Sequence, residues 1–368
     1  MYKAYRDDLF IAVAGILYLG VETLMKAVLL TGIRQMELRD VPEPKIVNDT
    51  DVLLKIERIG VCGSDVHYYK TGRIGSQIVQ YPYIVGHECA AVVAKVGSAV
   101  KNLEPGQPVV VEPAVSCHKC PQCLAGRENT CYNLCFLGTP GQGPGCLSEY
   151  IVMPAECCLP TYDKITLEQG ALCEPLAIGV YAVQQSQLKA GEKAAVLGAG
   201  PIGLSCTAAA LAEGAAACYM TEKIKERIKI AADNGAAWVG NPDSEDVVKK
   251  VLEFEPEGVD VAFECAGQQQ TIDQAIEVLK PGGKLMLIGI PQQERVSFLV
   301  DKIRRKEITI INVRRQNRCT QRAVDLVAAG NIDVDFMVTH RFSFEQTQDA
   351  FDLVSEYRDG VVKAMIEL

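Results

Sequence analysis

A glycine-rich loop near the middle of the chain restricts the fold more than any other feature. A strand-like run at residues 194–197 leads into the loop, and an alanine-rich helix pattern follows it. The loop reads Gly198-Ala199-Gly200-Pro201-Ile202-Gly203. Glycines at this spacing let the backbone approach a pyrophosphate at a helix N-terminus, although a glycine turn can also serve helix packing alone. Glu222 ends the next strand-like run, where a carboxylate can accept hydrogen bonds from both hydroxyl groups of an adenosine ribose. We therefore predict a dinucleotide-binding site.

The pattern around the loop indicates two kinds of architecture. After the loop, strand-like runs at Val259–Glu264, 284–288 and 308–313 alternate with helix patterns, which favours a doubly wound parallel sheet. Before it, residues 52–61 alternate as a β-strand does, and residues 84–97 and 107–112 add further β segments around glycine and proline. A chain of 368 residues is long enough for about two domains.

Four cysteines lie close together with the spacing C-x2-C-x2-C-x7-C. They are Cys117, Cys120, Cys123 and Cys131. Four thiolates this near in sequence can close a tetrahedron around one zinc ion and leave no open position, which predicts a structural zinc site. An iron–sulfur cluster or disulfide bonds are the alternatives, and His118 inside the loop is a further candidate ligand.

Cys62 and His87 supply two ligand types of a second zinc site. A catalytic zinc ion takes three protein ligands and keeps a fourth position for water or substrate. The two residues are too far apart in sequence for one helical turn to present both, so a buried free cysteine and a core histidine are the plain alternative.

Charge and cysteine usage exclude some classes of function. The net charge of −9 argues against a nucleic-acid partner, because neutralising phosphates needs clustered lysine and arginine. The 15 cysteines are spread over a large chain with metal-type spacing, which indicates a reducing, cytoplasmic environment.

The N-terminal residues differ from the remainder. Residues 9–21 form an apolar run that is too short to cross a bilayer, so no membrane association is expected. From Met25 onward the sequence reads as a β-hairpin followed by a proline-marked loop. We hypothesise that Met25 is the natural start and that residues 1–24 are an extension outside the fold.

From Met25 to its end, the chain resembles the zinc-dependent medium-chain alcohol dehydrogenases, and most of all their sorbitol (polyol) dehydrogenase branch. The zinc signature of that family appears as Gly86-His87-Glu88, with Gly97 and Val100 at the usual spacing and Ala91 in place of a glycine. The resemblance implies an α/β protein with a GroES-like β-rich catalytic domain, residues 25–177 and 316–368, around an inserted Rossmann domain, residues 178–315.

The resemblance also implies a third zinc ligand. Glu174 stands where polyol dehydrogenases carry glutamate and simple alcohol dehydrogenases carry cysteine, and Cys173 is its neighbour. We favour Glu174 because a one-residue shift reverses side-chain direction in an extended segment. Glu88 is expected close to the metal, or as a transient ligand.

Further roles follow from the same resemblance. Ser64 and His67 are expected to relay a proton to solvent through the cofactor ribose. Tyr68, Phe136 and Arg314 are expected to line the polyol pocket. Arg315 stands where the family has tyrosine, which allows a more anionic substrate.

The expected activity is oxidation of a secondary alcohol of a polyol, of the sorbitol, xylitol or L-iditol type, to a ketose. NAD is expected as hydride acceptor because the carboxylate of Glu222 would repel the 2′-phosphate of NADP. Arg227 could stack on the adenine or pair with Glu222. An L-threonine 3-dehydrogenase or another secondary-alcohol dehydrogenase is the alternative, and a non-catalytic redox sensor a more distant one. The expected assembly is a homotetramer, or otherwise a dimer.

Overall fold

The computed structural model describes residues 23–162, 164–291 and 293–368. The chain packs into two compact units, the first ending at Glu174 and resuming with Val338–Leu368, the second being Pro175–Met337. The predicted dinucleotide-binding domain ended at residue 315. The second unit continues to Met337, because residues 316–337 pack with it.

Unit 1 is rich in short strands. Its strands are β1 (Leu24–Gly32), β2 (Gln35–Pro42), β3 (Asp51–Gly60), β4 (Arg73–Ile74), β5 (Gln77–Ile78), β6 (Glu88–Val96), β7 (Pro108–Val111), β8 (Ala114–Val115), β9 (Cys135–Phe136), β10 (Tyr150–Pro154), β11 (Cys158–Pro160), β18 (Val338–Ser343) and β19 (Lys363–Glu367). Its helices are α1 (Gly63–Thr71), α2 (Pro121–Leu124), the first part of α3 (Leu167–Ser186), and α10 (Thr347–Ser355).

A seven-stranded sheet organises unit 1. Six strands follow the order β11-β7-β6-β3-β19-β18, and β10 also pairs with β3. The pairs are antiparallel except β18 with β19. The inner strands are long and largely buried, and fully buried side chains such as Leu54, Ile56 and Ile366 form the core. This core holds the ends of β3, β6 and β19 rigidly, which matters because candidate site residues lie there.

Unit 2 is a doubly wound parallel sheet. Its strands are β12 (Lys193–Leu197), β13 (Ala217–Thr221), β14 (Trp238–Gly240), β15 (Val259–Glu264), β16 (Leu279–Leu287) and β17 (Thr309–Asn312). Its helices are the remainder of α3, then α4 (Pro201–Ala212), α5 (Lys225–Asp233), α6 (Val247–Phe254), α7 (Gln269–Val278), α8 (Val300–Lys306) and α9 (Thr320–Ala328). All strand pairs are parallel, in the order β14-β13-β12-β15-β16-β17.

The central strands of unit 2 are nearly continuously buried, as parallel strands covered on both faces should be. The predicted parallel sheet is confirmed, and so is the α/β fold class.

The predicted N-terminal hairpin is confirmed, since β1 and β2 pair antiparallel. It begins slightly before Met25, because Leu24 already pairs with Pro42 and Thr23 accepts a backbone hydrogen bond from Glu43. The rest of the hypothesis on residues 1–24 concerns residues outside the described range. Within the part of the chain that the structure describes, no helix combines the length and hydrophobicity that crossing a bilayer requires.

Candidate metal centres and nucleotide-binding edge

The four thiols of Cys117, Cys120, Cys123 and Cys131 come together around α2. All four sulfur atoms lie within 4.8 Å of one another. The Sγ atom of Cys120 is 3.6 Å from that of Cys123 and 3.9 Å from that of Cys131. A tetrahedral ion with Zn–S bonds of about 2.3 Å needs S···S separations of about 3.8 Å, whereas a disulfide needs about 2.05 Å. The thiols therefore fit a single tetrahedral metal ion.

Backbone N–H groups support negative charge on this quartet. The amides of Cys117 and Asn133 point at Cys131 Sγ, at 3.4 and 3.3 Å. A hydrogen bond from the Lys119 amide is the largest contribution that lowers the pKa of Cys117, to about 6. His118 contacts Glu156 and Glu128 instead, with its ring nitrogens 2.8 and 3.3 Å from their carboxylates. The backbone amides thus favour thiolates at this loop, although burial outweighs them at Cys131 and raises its pKa to about 12.

The second candidate centre lies where β3 and β6 meet the start of α1. Cys62 is the N-cap residue of α1, and His87 immediately precedes β6. Ligand atoms of Cys62 and His87 lie within 4.8 Å of each other, and so do those of His87, Glu88 and Glu174. The N-terminal end of a helix favours negative charge, which suits a thiolate at Cys62. One thiolate, one imidazole and two carboxylates form a donor set that suits zinc.

Asp65 orients His87, a contact that the sequence analysis missed. The Asp65 side chain is fully buried, and its carboxylate lies 3.3 Å from His87 Nδ1 and accepts a hydrogen bond from the Gly86 amide at 3.1 Å. With Nδ1 turned to Asp65, Nε2 is left to face a metal. Burial acts to lower the pKa of His87, but the charges of Asp65 and Cys62 outweigh it and raise that pKa well above its usual value. The sequence signal that could have indicated this contact is the acidic residue Asp65, three residues after the predicted ligand Cys62.

Glu174 joins the group, although the reason given for it from the sequence was wrong. Residues 173 and 174 lie inside helix α3 and not in an extended segment, so a one-residue shift turns the side chain by about 100° and does not reverse it. The Cys173 thiol instead donates to Gln169 O at 3.3 Å, one helical turn earlier. Burial raises the pKa of Glu174 to about 7, although His87 acts to lower it.

Glu88 is held by a buried lysine from the far end of the chain. Lys363, in β19, makes an ion pair with Glu88, and each side chain is only 1% exposed. Lys363 Nζ also donates to Val61 O at 3.1 Å, next to Cys62. Nothing in the local sequence indicated this pair, because the two residues meet only when β19 pairs with β3.

The predicted relay and pocket residues of unit 1 lie mostly on α1. Ser64 Oγ donates to Cys62 Sγ at 3.3 Å. Burial lowers the pKa of His67, and the charge of Lys70 adds to this. Tyr68 is buried, with its hydroxyl bonded to Gln77 at 3.1 Å.

Phe136, the other aromatic residue predicted for the pocket, lies against the candidate metal centre. Its ring centroid is 5.3 Å from that of His87. The ring is buried and leaves little room for water on that side of the imidazole. Arg314 belongs to unit 2, two residues beyond β17.

In unit 2, the glycine loop joins β12 to α4. Gly198 has φ +106°, a conformation that favours glycine. A Cβ atom at Gly203 would lie 1.9 Å from the Gly198 carbonyl oxygen, so the helix can approach the strand only with glycine there. Gly200 is the N-cap of α4, Pro201 is its first residue, and no side chain caps the helix. The N-terminus of α4 is therefore open to an anionic ligand.

Glu222 connects this loop to the next one. It follows β13, and its carboxylate accepts hydrogen bonds from the backbone of Ala199 at 3.0 Å, Lys223 at 2.7 Å and Ile224 at 3.0 Å. Arg227 is buried, with its guanidinium 3.8 Å from the position that a Cβ atom on Gly200 would take. The predicted carboxylate and guanidinium thus both stand at the glycine loop.

Two family models match the chain. Residues 48–163 match the alcohol dehydrogenase GroES-like domain, and residues 201–329 match the zinc-binding dehydrogenase model.

Related proteins match over almost the whole length. The chain is 36% identical over 343 residues to sorbitol dehydrogenase of Bacillus subtilis (strain 168), covering 93% of this chain and 97% of the relative. It is 34% identical over 346 residues to L-idonate 5-dehydrogenase of Vitis vinifera, covering 92% and 93%. The crystal structure of a candidate zinc-binding dehydrogenase from Sinorhizobium meliloti 1021, bound to NADP, has a TM-score of 0.86 and 32% identity, covering 94% of this chain and all of that one.

Proposed function

The chain belongs to the zinc-dependent medium-chain alcohol dehydrogenase family, and we propose that it oxidises a secondary alcohol of a polyol to a ketose, with NAD as hydride acceptor. The similarity to the Bacillus subtilis sorbitol dehydrogenase supports the polyol as substrate class. The observation that carries the proposal is the position of His87, whose imidazole lies within 4.8 Å of the Cys62 thiol and within 4.8 Å of the Glu174 carboxylate, each on a separate element of unit 1. A merely structural histidine would not need a thiol and a carboxylate so near.

Cys62, His87 and one of the two carboxylates would hold the catalytic zinc ion. When bound, zinc supplies Lewis acidity that lowers the pKa of the substrate hydroxyl. Asp65 fixes the imidazole of His87, while Lys363 holds Glu88 and keeps its negative charge compensated. We assign the ligand position to Glu174 because Glu88 is already paired with Lys363, which leaves Glu88 as a transient ligand. The quartet of thiols would hold the structural zinc ion.

The proton released by the alcohol leaves through side chains of α1. Ser64 lies beside Cys62 and can accept and pass on a proton through its hydroxyl. His67, three residues further, has a lowered pKa and is therefore neutral near pH 7, so that its ring can take up the proton. We assign these two residues to the relay.

Glu222 supports NAD as the cofactor. A bound nicotinamide would supply the hydride acceptor, and the open N-terminus of α4 would receive the pyrophosphate. A 2′-phosphate about 4 Å from the carboxylate of Glu222 would be repelled by about 4 kcal/mol at an effective dielectric near 20. The positive charges of Arg227 and Lys223, which lie near Glu222 in sequence, could offset part of this repulsion. Lys223, however, is paired with Asp243 at 2.7 Å.

We further propose that the protein is cytoplasmic and forms a homotetramer, with a dimer as second choice. All 15 cysteines are free thiols, which suits a reducing compartment. Size-exclusion chromatography with light scattering tests the assembly, and a monomer would contradict it.

The activity is tested by incubating the protein with NAD and a panel of sorbitol, xylitol, L-iditol, L-threonine and short alcohols, while following the absorbance of reduced nicotinamide. We expect the polyols to give the highest kcat/KM and Cys62→Ser to abolish turnover without unfolding the protein. Cys173→Ser is the matched control, because its thiol bonds within α3. Highest activity with threonine would support the alternative substrate, and no turnover with any alcohol would refute the proposal.

A further inference from the structure

Two thiols of unit 2 lie against each other beside the glycine loop. The Cys265 thiol donates to Cys206 Sγ at 4.0 Å. Cys206 is in the second turn of α4 and is fully buried, whereas Cys265 directly follows β15 and is half-buried. A disulfide bond has about 2.05 Å between its sulfur atoms, so these two would have to approach by about 2 Å. The pair is therefore reduced here, yet close enough to be oxidised.

Both thiols belong to segments that contact the glycine loop. The Cys265 amide donates to the carbonyl oxygen of Leu197, the last residue of β12, at 3.0 Å. The Cβ atom of Ala266 lies 3.2 Å from the position that a Cβ atom on Gly198 would take. Cys206 is on α4, the helix whose N-terminus would receive the pyrophosphate of the cofactor. A bond between the two thiols would thus join two supports of the nucleotide-binding loop.

Both segments are closely held by their neighbours. The carboxylate of Glu264 accepts hydrogen bonds from the amides of Ala266 at 2.9 Å and Gly267 at 2.7 Å, which fixes the turn after β15. On the side of α4, a Cβ atom on Gly179 of α3 would lie only 2.8 Å from the backbone nitrogen of Cys206. Closely packed elements transmit a displacement to what they touch. Drawing the two sulfur atoms together should therefore displace the glycine loop.

We propose that Cys206 and Cys265 form a reversible disulfide bond, and that this bond lowers the affinity of unit 2 for NAD. The inference rests on the proposed function, because it concerns the regulation of the same NAD site. It assigns these two thiols a role that is separate from the metal-binding cysteines of unit 1.

The oxidant is a small-molecule disulfide, such as glutathione disulfide. Half-buried Cys265 reacts first: its thiolate attacks one sulfur of the oxidant, forms a mixed disulfide and releases one glutathione thiolate. The thiolate of Cys206 then attacks Cys265 Sγ, which breaks the mixed disulfide and releases the second glutathione thiolate. The two cysteines give up two electrons and two protons, and both are taken up as two glutathione thiols form.

The reaction should be slow near neutral pH. The hydrogen bond with Cys206 and burial raise the pKa of Cys265 well above its usual value. Since the thiolate is the attacking species, the rate should increase as the pH rises. The pair would then respond to a lasting change of redox conditions and not to a brief one.

Peptide mapping tests whether the bond forms. The zinc-loaded full chain is equilibrated in glutathione buffers of increasing oxidised fraction, alkylated and analysed by mass spectrometry without reduction. We expect a peptide pair joined through Cys206 and Cys265. Cys265→Ser should lose this pair, and Cys218→Ala should keep it as the matched control, because Cys218 is another fully buried thiol of unit 2. Absence of the joined pair, or a bond to Cys218 in its place, would overturn the inference.

Calorimetric titration with NAD tests the consequence of the bond. The oxidised chain should bind NAD about tenfold more weakly than the reduced chain, a loss that excess reduced glutathione reverses and that Cys265→Ser does not show. Because such coupling is reciprocal, saturating NAD should disfavour the bond by the same factor and make the reduction potential of the pair about 30 mV more positive. Equal affinity for NAD in both redox forms would refute the regulatory role.

Failure of this inference can be distinguished from failure of the proposed function. If the reduced chain oxidises polyols with NAD but the two thiols do not join, the inference is wrong while the proposed function stands. If the reduced chain neither binds NAD nor oxidises any alcohol, the proposed function fails and the regulatory role fails with it.

Discussion

Removing the ammonium group of Lys363 should destabilise unit 1 strongly. In Lys363→Met the side chain keeps its approximate volume, but the carboxylate of Glu88 loses its partner, and Val61 O loses a hydrogen bond of 3.1 Å. Both members of the ion pair are only 1% exposed, so water cannot replace the lost interaction. Leaving one charge of a buried pair unpaired costs about 3–5 kcal/mol.

The free energy of unfolding is measured by urea titration with circular dichroism in zinc-containing buffer. Lys250→Met is the control, since its pair with Glu253 has side chains 45% and 46% exposed and should contribute less than about 1 kcal/mol. The double variant Lys363→Met/Glu88→Met should recover most of the loss, because no charge then remains buried.

Two results would refute this reasoning. A loss below about 1 kcal/mol in Lys363→Met would show that Glu88 finds water or another cation. A double variant as unstable as the single one would show that packing and not charge explains the effect.

Three further outcomes are expected. Cys120→Ser should remove about one of two zinc ions per chain and lower the midpoint of thermal unfolding, as measured by elemental analysis and calorimetry; unchanged metal content and midpoint would rule out a structural zinc site. Asp65→Asn should lower kcat/KM and zinc affinity by about 10- to 100-fold, because His87 loses the group that orients it, and wild-type values in both assays would contradict this. Glu222→Ala should reduce the preference for NAD over NADP by at least about tenfold, measured as the ratio of kcat/KM, and an unmoved ratio would show that this carboxylate does not select the cofactor.

Features whose residues are close in sequence could be predicted from the sequence. The four thiols lie within one short loop, so their spacing almost determines a tetrahedral arrangement, and the structure shows S···S distances that suit one. The glycine loop is similar, because positive φ at Gly198 and close approach at Gly203 are local requirements that only glycine meets.

The remainder depended on contacts between distant parts of the chain. The sequence predicted an extended segment at Glu174 because the resemblance supplied a position but no conformation, whereas the segment is helical and presents the carboxylate from α3. Glu88 and Lys363 are 275 residues apart, and their pairing appears only once β19 has docked onto β3. The spacing of residues in the sequence restricts which side chains a short loop can bring together. Strand order and packing, in contrast, decide the partner of each buried charge. A site assembled from separate elements, such as that of Cys62, His87 and Glu174, is therefore a property of the tertiary structure.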